Sequence, residues 1–516
     1  MKRIFISLFL AAVVFPTAAQ DFNGVFDQFQ ADAEKSFSDY KEKSDRSFAD
    51  LMSEAWKEFH VQEAEERPRK PEPKVLPVAP KDSVPSSIVL PSPKPEPKPT
   101  PGPVEKPKPE PQAVPAPKPQ AVPAPKPQPK PEPQPKPAPA PKPTPKPAPV
   151  PSAPGKSYTF EFYGNPVTVN VPESVLSYTM ADISKDDVSA FWKELDKVDF
   201  TPLISQIDFY SEKFSLNDWG RYLLVEDLSD SAYGTDERPE KAVLETYLLN
   251  RMGKNVKVAR ADDRLAVLVA VTEQVYSRLF VRVDGVPFYL SSEFKKVEKL
   301  YTYDVDMNNG LESVNVLIDK PLTFSSSRNN RRYARKSSEV LGMELNLPID
   351  AGICRYYQDV PQMNVDIYAR SAVDREFSEA LLNAFRPHLA GKSQKEQVAL
   401  LLKFMHLDFE YETDDKQFGF EKPFFLEEDF IYSHNDCEDR SILFAYLVRN
   451  LVGIDVVLLD YPDHIATAVA FSSDVPGDYF MFGDKRYVVC DPTYIGASIG
   501  MTMKQYADKE FKVLTL

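Results

Sequence analysis

Cysteine is almost missing from this chain: Cys354, Cys437 and Cys490 are the only three in 516 residues. That excludes a disulfide framework as the source of stability. It leaves at most one bridge, Cys354 with Cys490, and an odd thiol at Cys437. Histidine is as scarce, with His60, His388, His406, His434 and His464 making up the whole supply. None stands at metal-ligand spacing, so no metal and no cofactor is expected. No glycine-rich phosphate loop occurs, and no apolar run is long enough to span a bilayer. Net positive charge is missing too. The chain carries −15 overall, and many of its lysines sit in a proline-rich stretch, which argues against a nucleic-acid partner. The one basic cluster, residues 328–336, reads as a solvated loop.

What is present is unevenly distributed. Residues 1–19 read as a secretory signal: Lys2-Arg3, a twelve-residue apolar core and Thr17-Ala18-Ala19 as cleavage site. The expectation is an exported protein, periplasmic or extracellular. Over residues 20–66, Phe26, Phe37, Phe48 and Phe59 recur every 11 residues, with Phe29, Tyr40 and Leu51 in the same frame. Eleven residues over three turns draws an almost straight aromatic stripe along a helix. Such a stripe needs a second copy or a partner helix to cover it. Residues 67–155 then hold 35 of the 49 prolines, with the octapeptide at 111–118 repeated at 119–126. This is an extended polyproline spacer, roughly 270 Å in contour at about 3.1 Å per residue. Residues 156–516 remain as the folded part, α+β in class. It opens on a hairpin about Gly164-Asn165, with helices near 188–198, 219–228, 377–385 and 396–407, and strands near 314–318, 343–347 and 365–368.

The chemistry concentrates near the C-terminus. Asn435-Asp436-Cys437-Glu438-Asp439-Arg440-Ser441 precedes an apolar helical pattern that stops at Gly453. Cys437 therefore falls in a first helical turn, with Asn435 or Asp436 as N-cap, where the helix dipole favours a thiolate. Asp463-His464 opens one strand pattern and Cys490-Asp491-Pro492-Thr493 closes another. A thiol, an imidazole and a carboxylate are the three parts of a nucleophilic cysteine site.

These three motifs, together with the run from Phe409 to Gly419, resemble the transglutaminase-like cysteine enzyme superfamily over residues 375–500. The resemblance implies a papain/transglutaminase-like core, a nucleophile helix packed on an antiparallel sheet, within a catalytic domain at 301–516. It implies Cys437 as nucleophile, His464 as general base and acid, and Asp491 as orienter of the ring. Ile465-Ala466 follows the histidine where many members have Ala-Trp. Gln417 and Tyr411 are candidates to help stabilise an oxyanion beside the Cys437 backbone N–H. The implied activity is that of a peptidase, amidase or acyltransferase working through an acyl-thioester, with hydrolysis favoured. Peptides or proteins, cell-wall peptides among them, are the implied substrates. The alternative is a non-catalytic binding or structural module carried on a helix-plus-polyproline tether.

A second copy of this pattern lies 200 residues upstream, in an N-terminal lobe at 156–300. Asn250, Gly253, Val256, Asp263, Ala266 and Val269 fall opposite Asn450, Gly453, Val456, Asp463, Ala466 and Val469. In that register Glu237, Arg264 and Ser291 face Cys437, His464 and Asp491. Residues 215–292 then read as a degenerate copy without catalytic groups.

Overall fold

The computed structural model describes residues 47–66, 78–80, 85, 87–91, 93, 150–234, 238–291, 294, 296–307, 310–324 and 330–516. The expected signal at 1–19, residues 20–46 of the expected helix and most of the proline-rich stretch lie outside them.

The class is α+β. Strands β1 (Trp56–Phe59) and β2 (Gln62–Glu63) come first, followed by the hairpin β3 (Lys156–Phe162) and β4 (Asn165–Val171). Tyr163 and Gly164 turn that hairpin with φ of 46° and 83°, the double left-handed geometry that suits strand twist. Next come β5 (Val256–Ala261), β6 (Arg264–Ala270), β7 (Leu279–Val283), β8 (Val286–Leu290) and β9 (Leu300–Tyr303). The hairpin β10 (Arg331–Ser338) and β11 (Met343–Asp350) leads to the short parallel pair β12 (Glu410–Tyr411) and β13 (His434–Asn435). Last are β14 (Val456–Tyr461), β15 (His464–Val469), β16 (Tyr479–Phe482), β17 (Lys485–Val489) and β18 (Lys512–Thr515).

Two antiparallel sheets share one internal order. One runs β1-β9-β5-β6-β8-β7-β2 and the other β16-β17-β15-β14-β18. Reversing the second aligns β18-β14-β15-β17-β16 with β9-β5-β6-β8-β7. The registers agree as well: Val256 pairs with Val269 as Val456 does with Val469, and Ala261 with Arg264 as Tyr461 does with His464. Each sheet carries a helix that ends at a left-handed glycine, Gly253 (φ 85°) or Gly453 (φ 72°). Only glycine takes that conformation without strain. Alternate residues of β14 serve two cores: Val456 and Leu458 face the large core shared with the helices, while Val457 and Leu459 face a smaller one. Burial on both faces explains why these strands read as unbroken apolar runs.

The constant 200-residue offset fails at one point. The hairpin ends Val283↔Val286 and Phe482↔Lys485 are 199 apart, because the stretch from Val469 to the turn after β16 is one residue shorter than that from Val269 to the turn after β7. Ser291 therefore matches Cys490, not Asp491. Both donate their backbone N–H to β-strand carbonyls, Ser291 to Val267 (3.0 Å) and Cys490 to Thr467 (2.9 Å). Glu237 lies outside the described residues; the helix it was expected to open has Arg238 as N-cap and starts at Pro239. Arg264 does stand where His464 stands. The division at 300/301 also moves, since it would cut through β9.

Several local expectations are corrected. Within 20–66 only Phe48–Ala55 is helical among the described residues, and Trp56–Phe59 turns into an edge strand on β9. Phe48 packs on Trp192 and Tyr303, with ring centroids 5.2 and 5.7 Å apart. This end of the aromatic stripe is thus covered by the chain's own domain. Val365–Arg370 is a helix, not a strand, with Asn364 as N-cap. Val365, Ile367 and Tyr368 are its buried residues, a spacing of two and three that puts them on one side of a helix. Residues 314–318 form one isolated bridge, Val271 with Val314. Residues 331–336 of the basic cluster belong to β10, not to a loop. No helix among the described residues is long and apolar enough to cross a membrane.

The proline-rich stretch is not contact-free either. Ala79 donates to the Ile495 carbonyl (2.9 Å), while Leu90 donates to that of Tyr479 (2.8 Å) and Tyr479 to that of Ile88 (2.9 Å). Residues 88–90 form a strap on the outer edge of β16, and Pro85 lines a cavity of about 490 Å³ with His406 and Ile499. Leu90, 3 % exposed, joins the small core of Val457, Phe480 and Phe511. Leu90→Ala is expected to weaken the docking by about 2 kcal/mol. A peripheral strap of this kind should detach before the domain unfolds. The check is limited proteolysis: new cleavage within 78–93 at an almost unchanged melting temperature. Unchanged resistance would show that Leu90 does not hold the strap.

Candidate active site

Cys437 is the first residue of the Cys437–Leu447 helix. Asp436 is its N-cap: the carboxylate accepts from the Glu438 N–H, and Asp439 answers by accepting from the Asp436 N–H (3.2 Å). This reciprocal capping box fixes where the helix begins and hence where the thiol sits. Ser441, one turn on, donates to the Ile465 carbonyl at 3.1 Å and clips the helix to the start of β15. His464 is the first residue of that strand.

The imidazole and the carboxylate come together. His464 Nε2 lies 2.9 Å from Asp491 Oδ2, and both side chains are buried. Asp491 Oδ1 accepts from the backbone N–H groups of Thr493 (2.9 Å) and Tyr494 (3.3 Å). The Asp-Pro-Thr sequence is therefore an Asx turn that pins one carboxylate oxygen and aims the other at the ring. His406 supports it from behind. Its Nδ1 accepts from the Gly496 N–H (3.3 Å), so its Nε2–H donates to the Asp491 carbonyl (3.1 Å). Burial lowers the His406 pKa, which keeps this ring neutral and the tautomer constant.

Tyr506 joins the site from a short turn near the C-terminus. Its ring stacks on His464 at 4.9 Å, and its hydroxyl pKa is raised by burial, with Asp463 and Cys437 adding to the effect. Tyr506 thus lies near both the thiol and the imidazole. No sequence motif marks it.

The two oxyanion candidates separate. Tyr411, on β12, pairs with Asn435 two residues before Cys437. Burial raises its pKa first, and Cys437 is the next largest cause, so its hydroxyl stays protonated near the thiol. Gln417 donates a side-chain N–H to the His434 carbonyl at 3.4 Å, which makes Tyr411 the better placed of the two. Arg440 is fully buried, bonded to Asn435 and to the Phe409 carbonyl (both 2.9 Å), and lies over the Tyr411 ring. Cys354 and Cys490 are both free, so the one bridge left open by composition is not formed.

The thiol's surroundings are acidic. Cys437 is 1 % exposed and donates to Glu438 Oε2 at 3.0 Å. Carboxylate oxygens of Asp414, Glu421, Asp436 and Glu438 all lie within 4.8 Å of one another, and all four residues are buried. Two charged carboxylates at that distance repel by about 3 kcal/mol at an effective dielectric of about 20. Asp414 is pushed up to about 9, and Asp436 well above the usual carboxylate range, by burial first and then by neighbouring acids. Asp436 Oδ2 has no hydrogen-bond partner. An all-oxygen set with an orphaned, buried carboxylate oxygen fits a hard divalent cation such as Ca²⁺. The absence of ligand spacing in the sequence missed this, because Asp414, which opens the short helix Asp414–Gln417, and Glu421 after it come from a separate segment.

Comparison with protein-family models, with curated proteins and with solved structures gives no match. The functional reading therefore rests on this chain's own residues.

Proposed function

We propose that the protein is an exported, transglutaminase-like thiol enzyme that acts on amide bonds of peptides or proteins. The observation that carries the reading is the His464–Asp491 pair, held by the Asx turn at the strand edge to which the Cys437 helix is clipped. In this scheme the Cys437 sulfur attacks the scissile carbonyl carbon while His464 takes the thiol proton. His464 returns that proton to the leaving amine, and an acyl-thioester remains on Cys437. Water activated by the same imidazole then hydrolyses it; an amine in place of water would give acyl transfer. The Cys437 N–H and the Tyr411 hydroxyl are the donors assigned to the oxyanion. Asp414, Glu421, Asp436 and Glu438 would hold a divalent cation, which would supply positive charge beside the thiol and engage the Glu438 carboxylate that now accepts from it. Cell-wall stem peptides suit an exported amidase on a long tether.

One observation favours the second reading, a non-catalytic module: the thiol is closed off and engaged with a carboxylate. Thiol alkylation separates the two. Burial pushes the Cys354 and Cys490 thiols up, so both should be inert. Iodoacetamide at neutral pH is expected to label Cys437 at least about tenfold faster than either, read by peptide mass mapping. Equal, slow labelling of all three in the native protein would sink the enzyme reading.

A further inference from the structure

The first sheet keeps the place of the active site but not its chemistry. A cavity of about 290 Å³ lies there, between the start of the Pro239–Arg251 helix, the start of β6 and Ser291 after β8. These positions correspond to those that present Cys437, His464 and the Cys490-Asp491 pair in the other sheet. No cysteine or histidine lines the cavity. Charged side chains of both signs do: Arg238, Lys241 and Glu245 from the Pro239–Arg251 helix and its cap, Asp263 and Arg264 at the start of β6, with Glu226 and Asp230 opposite on the Asp218–Tyr233 helix.

The charges are arranged, not scattered. Lys241 pairs with Asp230, and Arg238 pairs with Glu240 at 3.2 Å while its guanidinium lies over the Tyr233 ring. The Arg264 guanidinium sits 3.9 Å above the Phe294 ring. Glu245 is buried and accepts from the Ser229 hydroxyl; burial lifts its carboxyl to about 8, leaving it mostly uncharged at neutral pH. Glu226 accepts from Tyr222 at 3.1 Å. A dianion would meet the acidic wall and a bare cation the two guanidinium groups. A small molecule with one charge of each sign meets neither penalty. At about 30 Å³ per water-sized group, the cavity holds roughly ten non-hydrogen atoms, the size of a dipeptide.

We infer that this cavity binds the free end of a short peptide as a zwitterion, its carboxylate toward Arg238 and Arg264 and its ammonium toward Glu226 and Asp230. The inference is independent of thiol catalysis, so it is tested on the full chain carrying Cys437→Ala. Calorimetric titration would compare alanyl-alanine with its N-acetyl and C-amide forms. Saturable binding of the free dipeptide is expected, weakened at least about tenfold by blocking either end. Arg264→Gln should weaken the free dipeptide by a similar factor and leave the amide unchanged. Should Arg264→Gln lower the melting temperature, Arg238→Gln serves instead, its side chain being 35 % exposed. No saturable heat up to about ten millimolar, or equal binding of all three peptides, would overturn the inference. Binding that survives both arginine substitutions would place the ligand elsewhere and overturn it equally.

Discussion

His464→Ala is expected to lower amide-bond cleavage by about 10⁴-fold, and Asp491→Asn to lower it almost as far. The alanine removes the only group assigned to accept the Cys437 proton. The asparagine acts more subtly, and the geometry says why. Asp491 Oδ1 is held by two backbone N–H groups while Oδ2 faces His464 Nε2. In the variant, the side-chain carbonyl must keep the Asx turn, because only an oxygen can accept those bonds. Its NH₂ is thereby turned toward Nε2, which then has to accept. The ring proton is driven to Nδ1, the nitrogen needed to receive the thiol proton. The fold is preserved and the tautomer is wrong. Because the substrate is unidentified, the first readout is the iodoacetamide rate at Cys437, which should fall at least about tenfold in both variants, at an unchanged melting temperature in Asp491→Asn. Rates within about twofold of the parent would remove His464 and Asp491 from the mechanism.

The helix that presents Cys437 was legible because its signals are local: Asp436 as cap, Asp439 three residues on, an apolar face and Gly453 as stop. The strands around His464 and Asp491 were legible for the same reason, as apolar runs bounded by turns. The shared strand order showed through a fixed register, which then misassigned Ser291 by one residue, since a pattern match cannot see one residue missing between the paired strands. What failed was non-local. The 11-residue period continues through Phe59, yet Trp56–Phe59 is a strand, because the open edge of β9 offers backbone partners that no period count reveals. Leu90 looked like one more residue of a spacer, but the small core beside β16 covers it. Tyr506 reaches His464 from a turn that carries no motif. The acidic cluster needed the short Asp414–Gln417 helix and the residues after it to fold back onto a helix cap, and neither segment alone has metal-ligand spacing.

The cluster also yields the second large effect. Asp414, Glu421, Asp436 and Glu438 cannot all be charged, buried and close together without compensation, and Asp439 beside them is raised as well. Protons or a cation must neutralise them. Arg440 is a buried cation that feels the charge of Asp436 and Asp439, but it is already bonded to Asn435 and Phe409. If Ca²⁺ binds the folded state only, free cation at about one hundred times its Kd should stabilise by about 2.7 kcal/mol, raising the melting temperature by several degrees over a chelated sample. Binding should release protons, because Asp414 and Asp436 hold theirs at neutral pH in the cation-free state, and so weaken as pH falls. The discriminating variant is Asp436→Asn. Asparagine caps a helix as well as aspartate does, so the Cys437 helix should persist. Removing one carboxylate from a crowded set should leave the chelated protein as stable as the parent or more so, while the response to CaCl₂ is lost. A parent melting temperature that does not move between chelator and millimolar CaCl₂, with no proton release, would mean that protons alone neutralise the cluster. The thiol would then keep Glu438 as its partner, and the acidic neighbourhood would act against thiolate formation.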